Sequence, residues 1–372
     1  MLCTLPNEII IHGIFPHLDK SSILVLQNVL WNIPIPNSLS DTIQKEICQY
    51  SVNYLNFFHS KISVDKVSYY LSIHCNFSGL KWSRDHGYPW YHWTCVYAAA
   101  QGHLTLLKWA VKNGCPCNTL AYCYAAESGH LHIVQWLRNY GCPWDIGTCY
   151  YAVKGGHLEI IKWARENGCP WNVLACQAAA SRGNLNILKW LRENSCPWDE
   201  SICSHAAEGG HLELLQWARE NGCPWNDITC RSAAVGGHLN ILKWLRDNSC
   251  PWDHYTCSSA ALHGHSEVLQ WAHENGCPWN EETCELAAVE GHFGILKWAR
   301  ENLCPWDKRT CEASVRAGNL EILKWVRENG CPWDEETFFI AKDERLDEIT
   351  AWLIENGCPT PFEADYTDDQ YD

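Results

Sequence analysis

Cys142-Pro143-Trp144-Asp145 opens, and Lys162-Trp163-Ala164-Arg165-Glu166-Asn167-Gly168 closes, a unit of 27 residues. The unit runs ten times in succession from Tyr88 to Gly357 without an insertion or deletion. Pro holds the second position of every copy, from Pro89 through Pro224 to Pro332, and a Trp follows twenty residues after each, from Trp109 through Trp190 to Trp352. Strict register over so long a stretch defines a repeat array, in which each unit buries its apolar face against its neighbours.

Within a unit the local physics reads as two short helices. Asp or Asn holds the fourth position in nine of ten copies (Asp145, Asn172, Asp199 and Asn226 among them). A helix needs its N-cap there, to satisfy its first free N–H groups. Helix A then follows as Thr-Cys-x-x-Ala-Ala, with small side chains that let neighbouring helices approach. A Gly closes it, from Gly102 through Gly210 to Gly318, as expected for a left-handed C-terminal cap. Helix B carries Leu239, Ile241, Leu242, Trp244 and Leu245 on a broad apolar face, with Lys243, Arg246 and Asp247 read as outward. Two Trp per unit, each expected to bury about 150–250 Å², would contribute roughly 4–6 kcal/mol apiece as an upper bound. They are read as structural.

Composition narrows the function classes. The formal charge of -15 disfavours nucleic acid and anionic membranes as main partners. No apolar run reaches the roughly 18–20 residues that cross a bilayer, and no secretory leader is evident. The expectation is a cytoplasmic protein, monomeric and without a cofactor. Of the 23 Cys, those of the array recur at two register positions, as in Cys142 with Cys149 and Cys223 with Cys230. In a long chain with no export signal they are expected to be reduced, buried and small. C-x-x-C pairs of the zinc type are absent, so no metal is expected. His follows the helix-A Gly in seven units, with Asn184 and Asn319 substituting. A His that Asn can replace reads as a cap for helix B, not as a general base. No nucleophile–base constellation or phosphate loop accompanies it, so no catalytic residue is assigned and no enzyme is expected.

Residues 1–48 are different in kind. Leu5-Pro6-Asn7-Glu8-Ile9-Ile10, then Ile14, Phe15 and Leu18, a polar break, and Leu26, Val29 and Trp31 resemble an F-box. That resemblance implies a small helical module docking on the Skp-type adaptor of a cullin ubiquitin ligase, with Leu5, Pro6, Ile9, Ile10, Ile14, Phe15, Leu18, Leu26, Val29 and Trp31 as the adaptor-binding set. Residues 49–87 are read as a helical linker and a degenerate capping unit, in which Trp82 and Gly87 keep the register. A further helix is read over residues 40–60. Residues 88–357 are the ten repeats, the last a C-terminal cap, and 358–372 an acidic tail expected to be disordered.

The array itself resembles the ankyrin-repeat family. Ala233-Ala234-Val235-Gly236-Gly237-His238-Leu239-Asn240-Ile241-Leu242 is similar to that family's helix–turn–helix signature, but the unit is shorter than the family's 33 residues. The missing six would form the protruding hairpin finger, so blunt loops headed by Trp are expected. Short arrays of this kind behind an F-box resemble proteins multiplied in giant viruses, which implies the host cytoplasm as the location. The fold expected is all-α, an α-solenoid of stacked ankyrin-like helix pairs preceded by a small helical F-box-like module. Its function is expected to be protein–protein interaction, as a substrate receptor that recruits a target to the ligase or, alternatively, as a scaffold or decoy with no ligase link.

Target recognition is expected where the units differ. The candidates are Trp93, Tyr97, Gln101, Tyr124, Glu127, Tyr151, Lys154, Arg182, His205 and Tyr255, since variable side chains on a constant scaffold suggest a binding face and aromatics make good anchors. Helix A carries tyrosines early in the array and Glu285 and Glu312 late.

Overall fold

A computed structural model describes Ser68 and residues 71–360. The F-box-like stretch, the helix read over residues 40–60 and nearly all of the acidic tail lie outside the described residues. The chain divides between Thr94 and Cys95 into two compact units.

In the first unit, helix Phe77–Asp85 is capped by Asn76, whose side chain accepts from the Gly79 N–H. Trp82 is buried, stacked on His86 with ring centroids 4.3 Å apart, and Gly87 ends the turn at φ +78°. The guanidinium of Arg84 lies over Trp90 at 4.8 Å.

The second unit is a run of helix pairs: Thr119–Glu127 with Leu131–Tyr140, Ile146–Lys154 with Leu158–Glu166, and so on to Glu335–Asp343 with Asp347–Glu355. Among the described residues there is no strand, and none of the helices is long and apolar enough to cross a membrane. The second unit is an all-α solenoid of stacked ankyrin-like pairs, with coil turns where the longer family unit has a hairpin.

The sequence dictates these boundaries. Asp145, Asn172, Asp253, Asp307 and Asp334 each accept a hydrogen bond from the backbone N–H two residues on, while Asn118 and Asn280 make no such cap. Helix A ends in paired bonds such as His238 N–H to Ala233 O and Gly237 N–H to Ala234 O. This requires the residue between to turn left-handed, and Gly237 does so at φ +72°. Neighbouring A helices pack closely through Ala233, Ala234, Ala260 and Ala261, all fully buried. Thr256, Thr283, Thr310 and Thr337 bring hydroxyls into this core that find no hydrogen-bond partner.

One feature refines the sequence reading and two correct it. First, the array Trp side chains of the second unit are half-buried. Each turn Trp meets the next helix-B Trp edge-on, as Trp171 does Trp190 at 5.8 Å and Trp225 does Trp244 at 5.7 Å. Second, the helix-B Arg does not simply point outward. Arg246 is half-buried and lies over Trp252 at 4.1 Å; Arg165, Arg192 and Arg219 cover Trp171, Trp198 and Trp225 at 3.9–4.2 Å. Each also donates to a turn carbonyl, Arg165 to Cys169 O at 2.9 Å. Arg, turn Trp and following Trp thus form a clamp across every such junction. The cation–π contact contributes about 0.5–2 kcal/mol and the edge-on ring pair about 0.5–1.5 kcal/mol.

Third, the repeated His is not a cap for its own helix. His130, His157, His211, His238, His265 and His292 stand at the N-cap position without a side-chain cap bond. Instead each ring reaches back thirty residues, its Nε2 lying 3.0–3.2 Å from the carbonyls of Ala100, Glu127, Ser181, Glu208, Val235 and Leu262. A carbonyl only accepts, so Nε2 carries the proton. The ring staples each helix B to the end of the preceding helix A. It also fills the space where a Cβ on the preceding Gly would go: one added at Gly210 would sit 2.6 Å from His238. Asn319 cannot reach so far and does cap its own helix, accepting from Ile322 N–H at 3.0 Å.

The cysteines form a second ladder. Cys169, Cys196, Cys223 and Cys250 donate their thiols to the carbonyls of Asp145, Asn172, Asp199 and Asn226 at 3.3–3.5 Å, so each turn is tied to the head of the previous unit. In the second repeat Tyr122 takes the place of the helix-A Cys, and its hydroxyl donates to Cys142 O at 3.1 Å.

Candidate functional site

Helix A buries its Cys and Ala side, and the residues at its sixth, ninth, tenth and thirteenth unit positions share another side, since these lie three or four apart. The ninth and tenth are half-buried as Tyr150, Tyr124 and Tyr151 and buried as Ser204, Ser258 and Ser259. That face is where the units differ.

The second and third repeats build a tyrosine patch there. Tyr124 and Tyr151 face each other with ring centroids 5.8 Å apart, and Tyr150 meets Tyr151 edge-on at 5.2 Å. Lys154 Nζ reaches Glu127 at 2.9 Å and lies 5.4 Å from the Tyr151 ring. The structure therefore brings four expected target-binding residues, Tyr124, Glu127, Tyr151 and Lys154, into one cluster, all half-buried. The Glu127 carboxylate raises the Lys154 pKa, and burial raises that of Tyr151. The patch thus sets phenol rings beside a lysine–carboxylate pair. Side chains of this kind are rigid, apolar in body and polar at the tip, which suits a protein contact.

Of the other candidates, Arg182, His205 and Tyr255 lie outside the cluster. Trp93 lies in the first compact unit. Tyr97 is half-buried and Gln101 exposed. Arg182 is exposed at the end of its helix. His205 turns inward on its own helix, with Nδ1 2.7 Å from Ser201 O. Tyr255 is 40 % exposed and lies under Arg231, 5.1 Å from its guanidinium, with His254 at 4.1 Å.

Sequence reasoning missed three exposed apolar residues at the first turn of the A helices. Ile146, Leu174 and Ile228 are 41 %, 40 % and 49 % exposed, comparable with the candidate Tyr255. Their signal was available, since apolar residues at the water-facing positions of a register-locked helix are out of pattern.

Toward the C-terminus the same face is ionic. Arg309 Nη1 lies 3.0 Å from Glu285, a close contact without hydrogen-bond geometry, and 2.9 Å separates its Nη2 from Asp307. Lys308 pairs with Asp334 across the next unit. Glu312, read from sequence as a variable surface group, is 6 % exposed between Lys308 and Arg316 at 3.9 and 3.8 Å. Burial raises the pKa of both Glu285 and Glu312 against the pull of these cations.

Among the described residues no group of three or more His, Cys, Asp or Glu is placed to hold a metal ion. The ladder His rings are spent on backbone carbonyls.

The family comparison agrees with this geometry. Residues 95–175 match the family described as ankyrin repeats, in three copies. No curated protein matches the chain. Among solved structures the chain is similar to the human ASB11 ankyrin repeat domain, at 17 % identity and a TM-score of 0.36, over 42 % of this chain and 84 % of that one. Ankyrin repeats are thus what both the helix pairs and the family match support, the match covering the units that carry the tyrosine patch.

Proposed function

We propose that this protein is a non-enzymatic interaction protein whose A-helix face captures a protein target. The observation that carries the reading is the cluster of Tyr124, Tyr150, Tyr151, Glu127 and Lys154 on a scaffold that is otherwise repetitive. Hot spots are aromatic, clustered and ringed by polar groups, and this cluster has that make-up. Exposed apolar side chains at the first turns of the A helices, Ile146, Leu174, Ile228 and Tyr255, add further contact positions in the third to seventh repeats.

The N-terminal stretch gives the proposal its second half. Leu5, Pro6, Ile9, Ile10, Ile14 and Phe15 resemble the adaptor-binding part of an F-box, so the chain would hold a Skp-type adaptor and a cullin ligase at one end and a target, of host origin if the chain is viral, at the other. It supplies proximity, with the chemistry left to the ligase. Co-purification with a Skp-type adaptor is the test: wild type retains the adaptor, and Leu5→Ala with Pro6→Ala loses it. An adaptor that fails to bind wild type would remove the ligase and leave the scaffold or decoy reading.

A further inference from the structure

We propose that Cys117 and Cys142 are a thiol–disulfide site, in which a small disulfide oxidant such as glutathione disulfide links two successive turns of the solenoid covalently. Their sulfurs are 3.0 Å apart, Cys142 donating its S–H to Cys117. A disulfide needs about 2.05 Å, so closure asks for a movement of about an ångström.

Two independent departures from the repeat meet at this junction. Every other unit from Trp90 to Trp333 carries Trp at the turn position, and Cys117 alone replaces it. The clamping cation is also absent, since Val111 stands where Arg138, Arg165 and Arg192 stand in later units. At the other turns Arg, or His273 stacked on Trp279 at 3.8 Å, covers the indole. Trp136, left without a turn Trp to meet, stacks instead on Tyr140 at 5.1 Å. The one junction that lacks the aromatic–cation clamp is therefore the one with a thiol at the turn position, within reach of the next turn's thiol.

Access separates this pair from the rest of the ladder. Cys117 is half-buried, whereas the ladder thiols around it are buried. The other turn thiols, Cys169 to Cys358, donate to a backbone carbonyl of the preceding unit, whereas Cys142 donates to a sulfur. Cys117, the accessible member, attacks one sulfur of glutathione disulfide as the thiolate, forming a mixed disulfide and releasing one glutathione. Cys142 then attacks the Cys117 sulfur and releases the second. Two protein thiols are oxidised, one glutathione disulfide is reduced to two thiols, and the protons pass to those leaving groups. Burial and the neighbouring thiol raise the Cys117 pKa, so exchange is slow at neutral pH and quickens as pH rises.

The test is a redox titration of the full chain in glutathione buffers, followed by blocking of free thiols and mass spectrometry of a non-reduced digest. The expected product is a Cys117–Cys142 cross-linked peptide, lost in Cys117→Ser and in Cys142→Ser and kept in Cys169→Ser. In wild type alone, the oxidised form should melt about 5 °C higher than the reduced form and revert with dithiothreitol, because a 25-residue separation is closed in the unfolded chain. A Cys117–glutathione adduct with no cross-link, cross-links elsewhere in the ladder instead, or no oxidation at all would each overturn the proposal.

Discussion

The A-helix face of the second and third repeats and that of the eighth and ninth are the same scaffold wearing different surfaces. Beneath both run buried Cys and Ala, and above the turns sits the same clamp, Arg165 on Trp171 in one and Arg300 on Trp306 in the other. Tyr124, Tyr150 and Tyr151 cluster half-buried in the first region, while in the second Glu285 lies against Arg309 and Glu312 sits between Lys308 and Arg316. The difference teaches that stability and recognition are assigned to separate register positions. Each can then be altered without the other.

The largest effect tests whether the scaffold is indeed interchangeable. Trp171→Ala and Trp306→Ala each remove a ring from a clamp and should cost about 3 kcal/mol in urea denaturation. The two losses should agree to within experimental scatter. A loss confined to one region would break the equivalence.

Recognition should split the regions instead. Tyr124→Ala combined with Tyr151→Ala should weaken a bound target by about 100-fold, roughly 2.7 kcal/mol, with an unchanged melting midpoint. Glu285→Ala combined with Arg309→Ala should change affinity by less than threefold, because this pair lies outside the tyrosine patch. Isothermal calorimetry distinguishes these outcomes.

Helix-B ends give a smaller effect. Gly168 closes its helix in the left-handed conformation at φ +80°, whereas Leu303 is held at φ +66° with its side chain 83 % exposed. Leu303→Gly should stabilise the chain by about 1 kcal/mol, and Gly168→Ala should destabilise it by a similar amount. Thermal melts of the two variants should move in opposite directions.

The smallest expected effect is a pH dependence of opposite sign in the two regions. Burial lowers the pKa of His130 from 6.5, so the unfolded chain binds the proton more readily, and the stability of the early repeats falls as pH drops through 6.5. Burial raises the pKa of Glu285 and Glu312 from 4.5, so the folded chain binds the proton more readily there. The later repeats therefore gain stability as pH falls toward 4.5. Asp334, lowered by Lys308, opposes this weakly because it is exposed. Hydrogen exchange of Leu131–Tyr140 and Leu320–Glu328 at pH 5 and pH 7 reads both signs.

Much of the architecture was legible because it is written in local chemistry and repeated. Asp145 as an N-cap and Gly237 as a left-handed C-cap each act within a few residues, so spacing alone finds them. What spacing did not find acts across a unit boundary. Arg246 reaches Trp252 around a turn, and His238 reaches Glu208 thirty residues back. Neither contact follows from the face of a single helix. The tyrosine patch was half legible: Tyr124 and Tyr151 share a register position, but their pairing with Glu127 and Lys154 depends on how closely successive A helices stack. Glu312 was misread because its burial comes from Lys308 and Arg316, one turn away on either side.

Hydrogen exchange by mass spectrometry on the full chain, with and without a bound target, tests the central claim most directly. Protection should concentrate on Thr119–Glu127 and Ile146–Lys154 and leave the outward side of Leu131–Tyr140 and Leu158–Glu166 unchanged. Protection confined to the B helices, or to Lys308–Arg316 alone, would contradict it.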